Sequence, residues 1–317
     1  MAIKEIISRD LNIPLSIIDE ALKAARSHVK TFHIAKRNGK DRLILQPSKK
    51  LKTIQYWLII NVFGKHEVHK AAMAYVNNKS ILDNAILHRE NKFFVKMDLR
   101  DFFPSIKYSD LKPRILEWHR KTSPEWELDT EAENLIRLSC FYKDDRLAVG
   151  YPSSPIISNI VMMEFDIAVS NLISDTSKYG DAIYSRYADD LVISTNKSGV
   201  SNLIIKNISA LISETLSPKI SLNSSKTRIG SSTGGTASVT GLKICNNGHI
   251  TIHRKQKDHI RLLLSLYKKG LLKDLEYESL LGHLAYVRHV DSTFYSKLQN
   301  KYFSEISQLR IDAAEAL

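Results

Sequence analysis

Asp189 and Asp190 stand side by side between two β-prone runs, Tyr184-Ser185-Arg186-Tyr187 and Leu191-Val192-Ile193-Ser194. The pattern predicts a hairpin with both acids at its tip. Adjacent carboxylates repel, so a fold that fixes them on a tight turn calls for a cation there. A solvated Asp-Asp turn satisfies the same local pattern. A third acid, Asp98, ends the run Phe93-Phe94-Val95-Lys96-Met97. Strand alternation places Phe93, Val95, Met97 and Leu99 on one face and Phe94, Lys96 and Asp98 on the other. A carboxylate delivered by a buried strand is costly unless paired or metal-bound. Lys96 or Arg100 would serve as its partner. In the other arrangement Asp98 faces Asp189 and Asp190 across one sheet.

Three aspartates on sheet elements suit nucleotidyl transfer. Two Mg²⁺ ions about 4 Å apart activate a primer hydroxyl and neutralise the leaving pyrophosphate. Mg²⁺ takes a few carboxylates and fills its shell with water and substrate phosphates, so Asp98 with the Asp189-Asp190 turn is a sufficient set. Such a site also needs a grip on the triphosphate. Phe32-His33-Ile34 and Arg42-Leu43-Ile44-Leu45-Gln46 read as two strands around Lys36-Arg37-Asn38-Gly39-Lys40, with Asn38-Gly39 a good hairpin turn. That hairpin presents Lys36, Arg37, Lys40 and Arg42, and positioning with charge neutralisation dominates phosphoryl transfer.

The totals agree with a polyanionic partner. The 317 residues carry a net charge of +12, and surplus Lys and Arg on a folded surface attract phosphate. Between Lys23 and Lys52 there are ten Lys/Arg and one acid, Asp41, so this stretch holds +9 of the excess. A solvated basic face or a membrane-surface patch has the same composition; the concentration favours nucleic acid. Hydrophobic content of 43% and charged content of 25% are those of a soluble globular chain. No run approaches the roughly 20 apolar residues that span a bilayer, and the N-terminus lacks a signal peptide's layout. No membrane is therefore expected. Cys140 and Cys245 lie far apart without metal-ligand spacing, which fits a reducing cytoplasm and no zinc.

The elements that position these residues follow from period and punctuation. Residues 3–30 read as two helices separated by Pro14, with Ser16 and Asp19 as a capping box for the second. Helices are expected over 51–62, across most of 108–142 with a loop at Ser123-Pro124, over 200–216, and from Arg254 onward. Ser153 or Ser154 caps a broadly apolar helix with Pro155 in its first turn. Ile220–Ile229 reads as strand-turn-strand, and two short strands flank Asn246-Asn247-Gly248. A lone His88 reads as a hydrogen-bonded structural histidine.

Taken together, these motifs resemble the reverse transcriptases. Tyr187-Ala188-Asp189-Asp190 matches their YxDD signature, Lys96–Ile106 (KMDLRDFFPSI) their first catalytic-aspartate motif, and Gly150–Asn159 (GYPSSPIISN) their template-side motif. Asn84-Ala85-Ile86-Leu87-His88 and Val239-Thr240-Gly241-Leu242 fit the NAxxH and VTG elements of the bacterial retron enzymes. The resemblance implies an α+β right-hand polymerase fold without an RNase H domain. Its parts are N-terminal helices and fingers over 1–92, a palm with an antiparallel sheet over 93–245 holding a helical insertion at about 107–146, and a helical thumb over 246–317. It implies Mg²⁺, two ions, with Mn²⁺ able to replace them, held by Asp98, Asp189 and Asp190. It implies catalytic roles for these acids and for Lys226, which protonates the leaving pyrophosphate, and dNTP contacts at Arg42, Lys40 and the steric-gate position Phe103. His88, Val239, Thr240 and Gly241 are implied to contact RNA. The implied partners are a retron non-coding RNA, its branched RNA-linked DNA product (msDNA) started from a guanosine 2′-hydroxyl, and a separate effector protein in anti-phage defence. Two other readings are an RNA-binding scaffold that restrains an effector, and a related defence enzyme with another priming mode. One departure is Val149, where many members carry Gln; valine cannot make that polar contact.

Overall fold

The computed structural model describes residues 1–35, 39 and 41–315. The tip of the basic hairpin, Lys36-Arg37-Asn38 and Lys40, therefore lies outside the described residues, and with it the expected phosphate contact of Lys40.

A four-stranded antiparallel sheet occupies the middle of the fold, built from β3 (Phe93–Asp98), β4 (Ile183–Tyr187), β5 (Asp190–Thr195) and β6 (Arg228–Ser231) in the order β4-β5-β3-β6. A separate ribbon, β1 (Val29–Ala35) with β2 (Asp41–Pro47), precedes it. A three-stranded sheet, β7 (Ser238–Val239), β8 (Leu242–Ile244) and β9 (Ile250–Thr251), follows.

Both faces of the central sheet are covered, because its side chains alternate between two apolar layers. Val95, Met97, Leu191 and Ile193 enter one core with the N-terminal helices and those at Ser154–Val161, Met163–Ile173 and Ser201–Glu214. Phe94 and Val192 enter a second core formed by β7–β9 and the C-terminal helices Arg254–Lys268, Tyr277–Val290, Ser292–Lys301 and Phe303–Glu315. The alternation expected for the Asp98 strand holds for Val95, Met97, Leu99 and Phe94; Phe93 is half-buried at the start of the strand.

Several boundaries differ from the sequence expectation for identifiable reasons. The second helix, Leu15–Lys23, is capped by Pro14 without a side-chain bond. Asp19 is drawn away to Lys4, so no Ser16–Asp19 box forms. A capping box does join Ser80 and Asp83 at the head of the Ile81–His88 helix. The apolar helix after Pro155 bends by 48° at Met162, where Ser154–Val161 hands over to Met163–Ile173. No single helix among the described residues is long and apolar enough to cross a membrane. The Ile220–Ile229 segment yields only β6, with Leu222 in an isolated bridge to Leu99.

One polar cluster is built into the first core. Arg186 on β4 and Asp166 on the Met163–Ile173 helix are both 0% exposed and form a salt bridge at 2.7 Å. Asp166 also accepts from Tyr184 Oη at 2.7 Å, and Arg186 Nη1 donates to Asn159 Oδ1 at 3.1 Å. A buried pair of charges is tolerable only when its remaining hydrogen-bonding capacity is filled in this way.

Candidate active site

β4 and β5 pair Tyr187 with Asp190, leaving Ala188 and Asp189 as a two-residue turn. Ala188 has φ +56°, the left-handed region that turns between right-twisted strands demand. It costs a non-glycine residue about 1–2 kcal/mol. The turn is held from two sides. Asp189 carbonyl accepts from the Leu99 amide at 2.9 Å, and Ala188 carbonyl lies 3.4 Å from Arg186 Nη1. The sequence expectation of two acids at a hairpin tip is refined: Asp189 sits in the turn, and Asp190 opens β5.

Asp98 is opposite Asp190 in the β3–β5 register. Because the bond from Leu99 to Asp189 flanks this pair, Asp98 and Asp190 occupy a non-hydrogen-bonded position, where Cα atoms approach to about 4.5 Å and side chains are closest. Asp98 is only 6% exposed. Its carboxylate Oδ2 accepts from Lys226 Nζ at 2.7 Å, so its cationic partner is Lys226 and not Lys96 or Arg100. Lys226 comes from the short turn Ser224–Lys226, docked on the strand by the Asn223 amide donating to the Asp98 carbonyl at 2.8 Å.

The charges act on one another. Burial first, then Asp189, pushes the Asp190 carboxyl up to about 6, with Lys96 opposing. Burial likewise raises Asp189; its own backbone amide, Lys226 and Arg42 oppose the rise and Asp98 adds to it. The hydrogen bond to Asp98 raises Lys226, which is an ammonium at neutral pH. These are carboxylates short of positive charge. Among the described residues, no three His, Cys, Asp or Glu side chains converge tightly enough to enclose an ion by themselves. The donor set nevertheless fits a hard divalent cation that completes its shell with water and phosphate oxygens. Among the described residues, the one ammonium bonded to it, Lys226, marks where positive charge is wanted.

The nucleotide-side residues are partly brought together. Phe103 lies half-buried on the short helix Phe102–Ser105 that follows Asp98. Arg42 is exposed on β2, opposite Ile34, close enough for its charge to bear on Asp189. The ribbon is fastened to the template-side motif by the Leu45 amide, which donates to the Val149 carbonyl at 2.8 Å. Gly150, at φ +105°, is required there: a Cβ would sit 2.5 Å from the Leu45 carbonyl oxygen.

Two expected RNA contacts are corrected. His88 is 0% exposed, and its Nδ1 and Nε2 each lie 2.7 Å from a serine hydroxyl, Ser194 on β5 and Ser185 on β4. No ring atom is left to reach a nucleic acid; the histidine cross-braces the hairpin that carries the aspartates. Val239 is also 0% exposed, inside the second core. The neighbouring Thr240 and Gly241 form the β7–β8 turn at φ +46° and +83°. Thr240 Oγ1 donates to the Ile81 carbonyl at 3.1 Å, and Gly241 is exposed.

The sequence reading missed Asp166, Asn159 and Arg186, a buried cluster whose guanidinium reaches the Ala188 carbonyl of the Ala188-Asp189 turn. Their signal was present. An arginine inside a buried strand and an aspartate between Phe165 and Ile167 are complementary anomalies. It also missed Tyr75, for which no local signal existed.

An antiparallel sheet that brings three carboxylates together beside a basic ribbon defines the palm of a right-hand nucleotidyl-transfer polymerase. Comparison with known proteins is specific. Residues 34–263 match the family described as "Reverse transcriptase (RNA-dependent DNA polymerase)". The chain is 44% identical to the Retron Ec73 reverse transcriptase of Escherichia coli over 89% of each chain. It is 33% identical to the Retron Ec83 reverse transcriptase of the same organism over 87% of each. Telomerase from Candida albicans shares the fold, with a TM-score of 0.50 and 12% identity over 93% of this chain and 61% of that one. The chain belongs to the reverse transcriptase family, among its bacterial retron members, and is an RNA-directed DNA polymerase. Members of this family work with divalent metal ions.

Proposed function

We propose that this enzyme copies a partner non-coding RNA into msDNA, a branched RNA-linked DNA begun at a guanosine 2′-hydroxyl, and that the product serves anti-phage defence together with a separate effector protein. The reading is supported by the 44% identity to the Retron Ec73 enzyme and by the five sequence elements it shares with retron enzymes. Its chemistry is carried by one observation: Asp98 and Asp190 are directly opposed across β3 and β5, with Asp189 in the adjoining turn.

In this reading Asp98 and Asp189 are the principal ligands of two Mg²⁺ ions, and Asp190 is the third carboxylate of the set. When bound, the ions supply charge neutralisation at the attacking hydroxyl and the leaving pyrophosphate. The protein's own groups do the rest. Arg42 holds the triphosphate, with Lys40 two positions before it in sequence. The Phe103 ring crowds a ribose 2′-hydroxyl and so selects dNTPs. Lys226 Nζ, charged at neutral pH, gives a proton to the departing pyrophosphate oxygen as the new phosphodiester forms. The Thr240-Gly241 turn, exposed at Gly241, contributes backbone contacts to the RNA. The hand divides into N-terminal helices and fingers (1–92), palm (93–245) and thumb (246–317), and the enzyme works in the cytoplasm.

The test is purification of the protein from its host with bound nucleic acid. A branched species degraded in part by RNase and in part by DNase is expected. RNA alone, without linked DNA, would overturn the proposal and favour a scaffold role.

A further inference from the structure

Tyr75 combines features that a bystander aromatic does not. Its φ is +60°, a backbone region that L side chains enter at a penalty and that concentrates where surrounding structure enforces it for function. The enforcement is traceable. The Met73 amide donates to the Arg186 carbonyl at 2.8 Å, and Asn159 Nδ2 donates to the Ala74 carbonyl at 2.8 Å. Asn159 is itself held by Arg186 Nη1, and the same nitrogen reaches the Ala188 carbonyl in the catalytic turn. One buried guanidinium thus ties the residue before Tyr75 and the residue before Asp189 to a common anchor.

The side chain so positioned is not absorbed by a core. Tyr75 is 50% exposed, and its ring centroid lies 6.3 Å from that of Phe103, tilted by 45°. Its hydroxyl lies within the fields of Asp189 and Arg42, the two charges on either side of the nucleotide's expected position. We infer that Tyr75 is a specificity-determining residue of the nucleotide pocket, its ring packing with Phe103 against the sugar and base of the incoming deoxynucleoside triphosphate. The inference rests on the reading of Asp98, Asp189 and Phe103 given above.

The test measures RNA-templated incorporation by the full-length protein with its RNA, alongside thermal unfolding, for Tyr75→Gly, Tyr75→Phe and Asp189→Asn. Tyr75→Gly is expected to raise the dNTP KM about tenfold, within the range of base–aromatic stacking. kcat should fall by less than about twofold, as for lost uniform binding. Its Tm is expected to stay level or rise, because glycine adopts this φ freely. Tyr75→Phe keeps the ring and is expected to keep KM. An unchanged KM in Tyr75→Gly, or a lowered Tm with KM and kcat changing in parallel, would overturn the inference. Asp189→Asn separates the two levels. If it abolishes incorporation while Tyr75→Gly leaves KM unmoved, only the role of Tyr75 fails; if it retains incorporation, the assigned centre fails.

Discussion

Asp98 on β3 and Asp190 on β5 are direct cross-strand neighbours in the non-hydrogen-bonded register, so the sheet itself holds two carboxylates in mutual repulsion. Like charges directly opposite destabilise a strand pair; the Asp190 carboxyl is raised to about 6 by burial first, then by Asp189, with Asp98 adding a smaller push. A fold that retained this pair for stability alone would be poorly served by it. Asp190→Asn removes one charge at little change in shape. In metal-free protein at pH 7.5 it is expected to raise stability by roughly 1–3 kcal/mol, read by thermal or denaturant unfolding, while DNA synthesis is lost. A destabilised Asp190→Asn protein would mean that the acid is held by contacts that outweigh the repulsion.

His88 gives the molecule an acid-sensitive brace. Burial lowers it to about 4 from an ordinary 6.5, so the unfolded chain takes up a proton over an interval in which the folded chain does not. Stability is therefore unaffected above about pH 6.5 and declines as pH falls from there toward about 4, by roughly 3 kcal/mol if the whole shift is expressed. His66, lowered to about 4 by burial as well, adds in the same direction. His88→Gln, which hydrogen-bonds without titrating, is expected to flatten this slope in unfolding experiments between pH 7 and pH 5. An unaltered slope would remove His88 from the account.

The Arg186–Asp166 pair is fully enclosed, and breaking such a pair leaves a buried charge alone. Asp166→Ala is expected to cost about 3–5 kcal/mol, measured as a shift in denaturant midpoint. Asp166→Leu combined with Arg186→Met is expected to recover much of that stability. Polymerase activity should recover less, because Arg186 also contacts Asn159 and the Ala188 carbonyl. Equal recovery of both properties would show that the cluster does not position the Ala188-Asp189 turn.

Phe103 is half-buried and follows Asp98 by five residues on the short helix Phe102–Ser105. Phe103→Ala is expected to improve kcat/KM for ribonucleotides relative to deoxynucleotides by roughly 10–100-fold, the range for discrimination built on steric fit. Competition between rNTPs and dNTPs on one RNA template measures it. An unchanged ratio would remove the gate from Phe103.

How far the chain was legible depended on whether a feature was local. The hairpin around Asp189, the alternation on β3 and the amphipathic helices follow from periods of two and about 3.6, and these were readable. The opposition of Asp98 and Asp190, ninety-two positions apart in sequence, is a matter of register between distant strands; the sequence allowed it without requiring it. The expected RNA contacts of His88 and Val239 mark the converse failure, whereas His88 read on its own as a hydrogen-bonded structural histidine agrees with its two serine partners. Matching a motif to RNA contact ignored that helix Ile81–His88 and β7 each turn these residues inward, where a histidine meets two serines and a valine meets a core. Tyr75 had no signature at all, because its backbone conformation is imposed by Asn159 and Arg186 from other elements.

The central claim is that Asp98, Asp189 and Asp190 form the centre of RNA-directed DNA synthesis. Its most direct test is RNA-templated dNTP incorporation by purified Asp189→Ala/Asp190→Ala protein, with RNA binding followed in parallel. The account predicts incorporation at background with RNA affinity largely intact. Continued DNA synthesis by the double variant would contradict it.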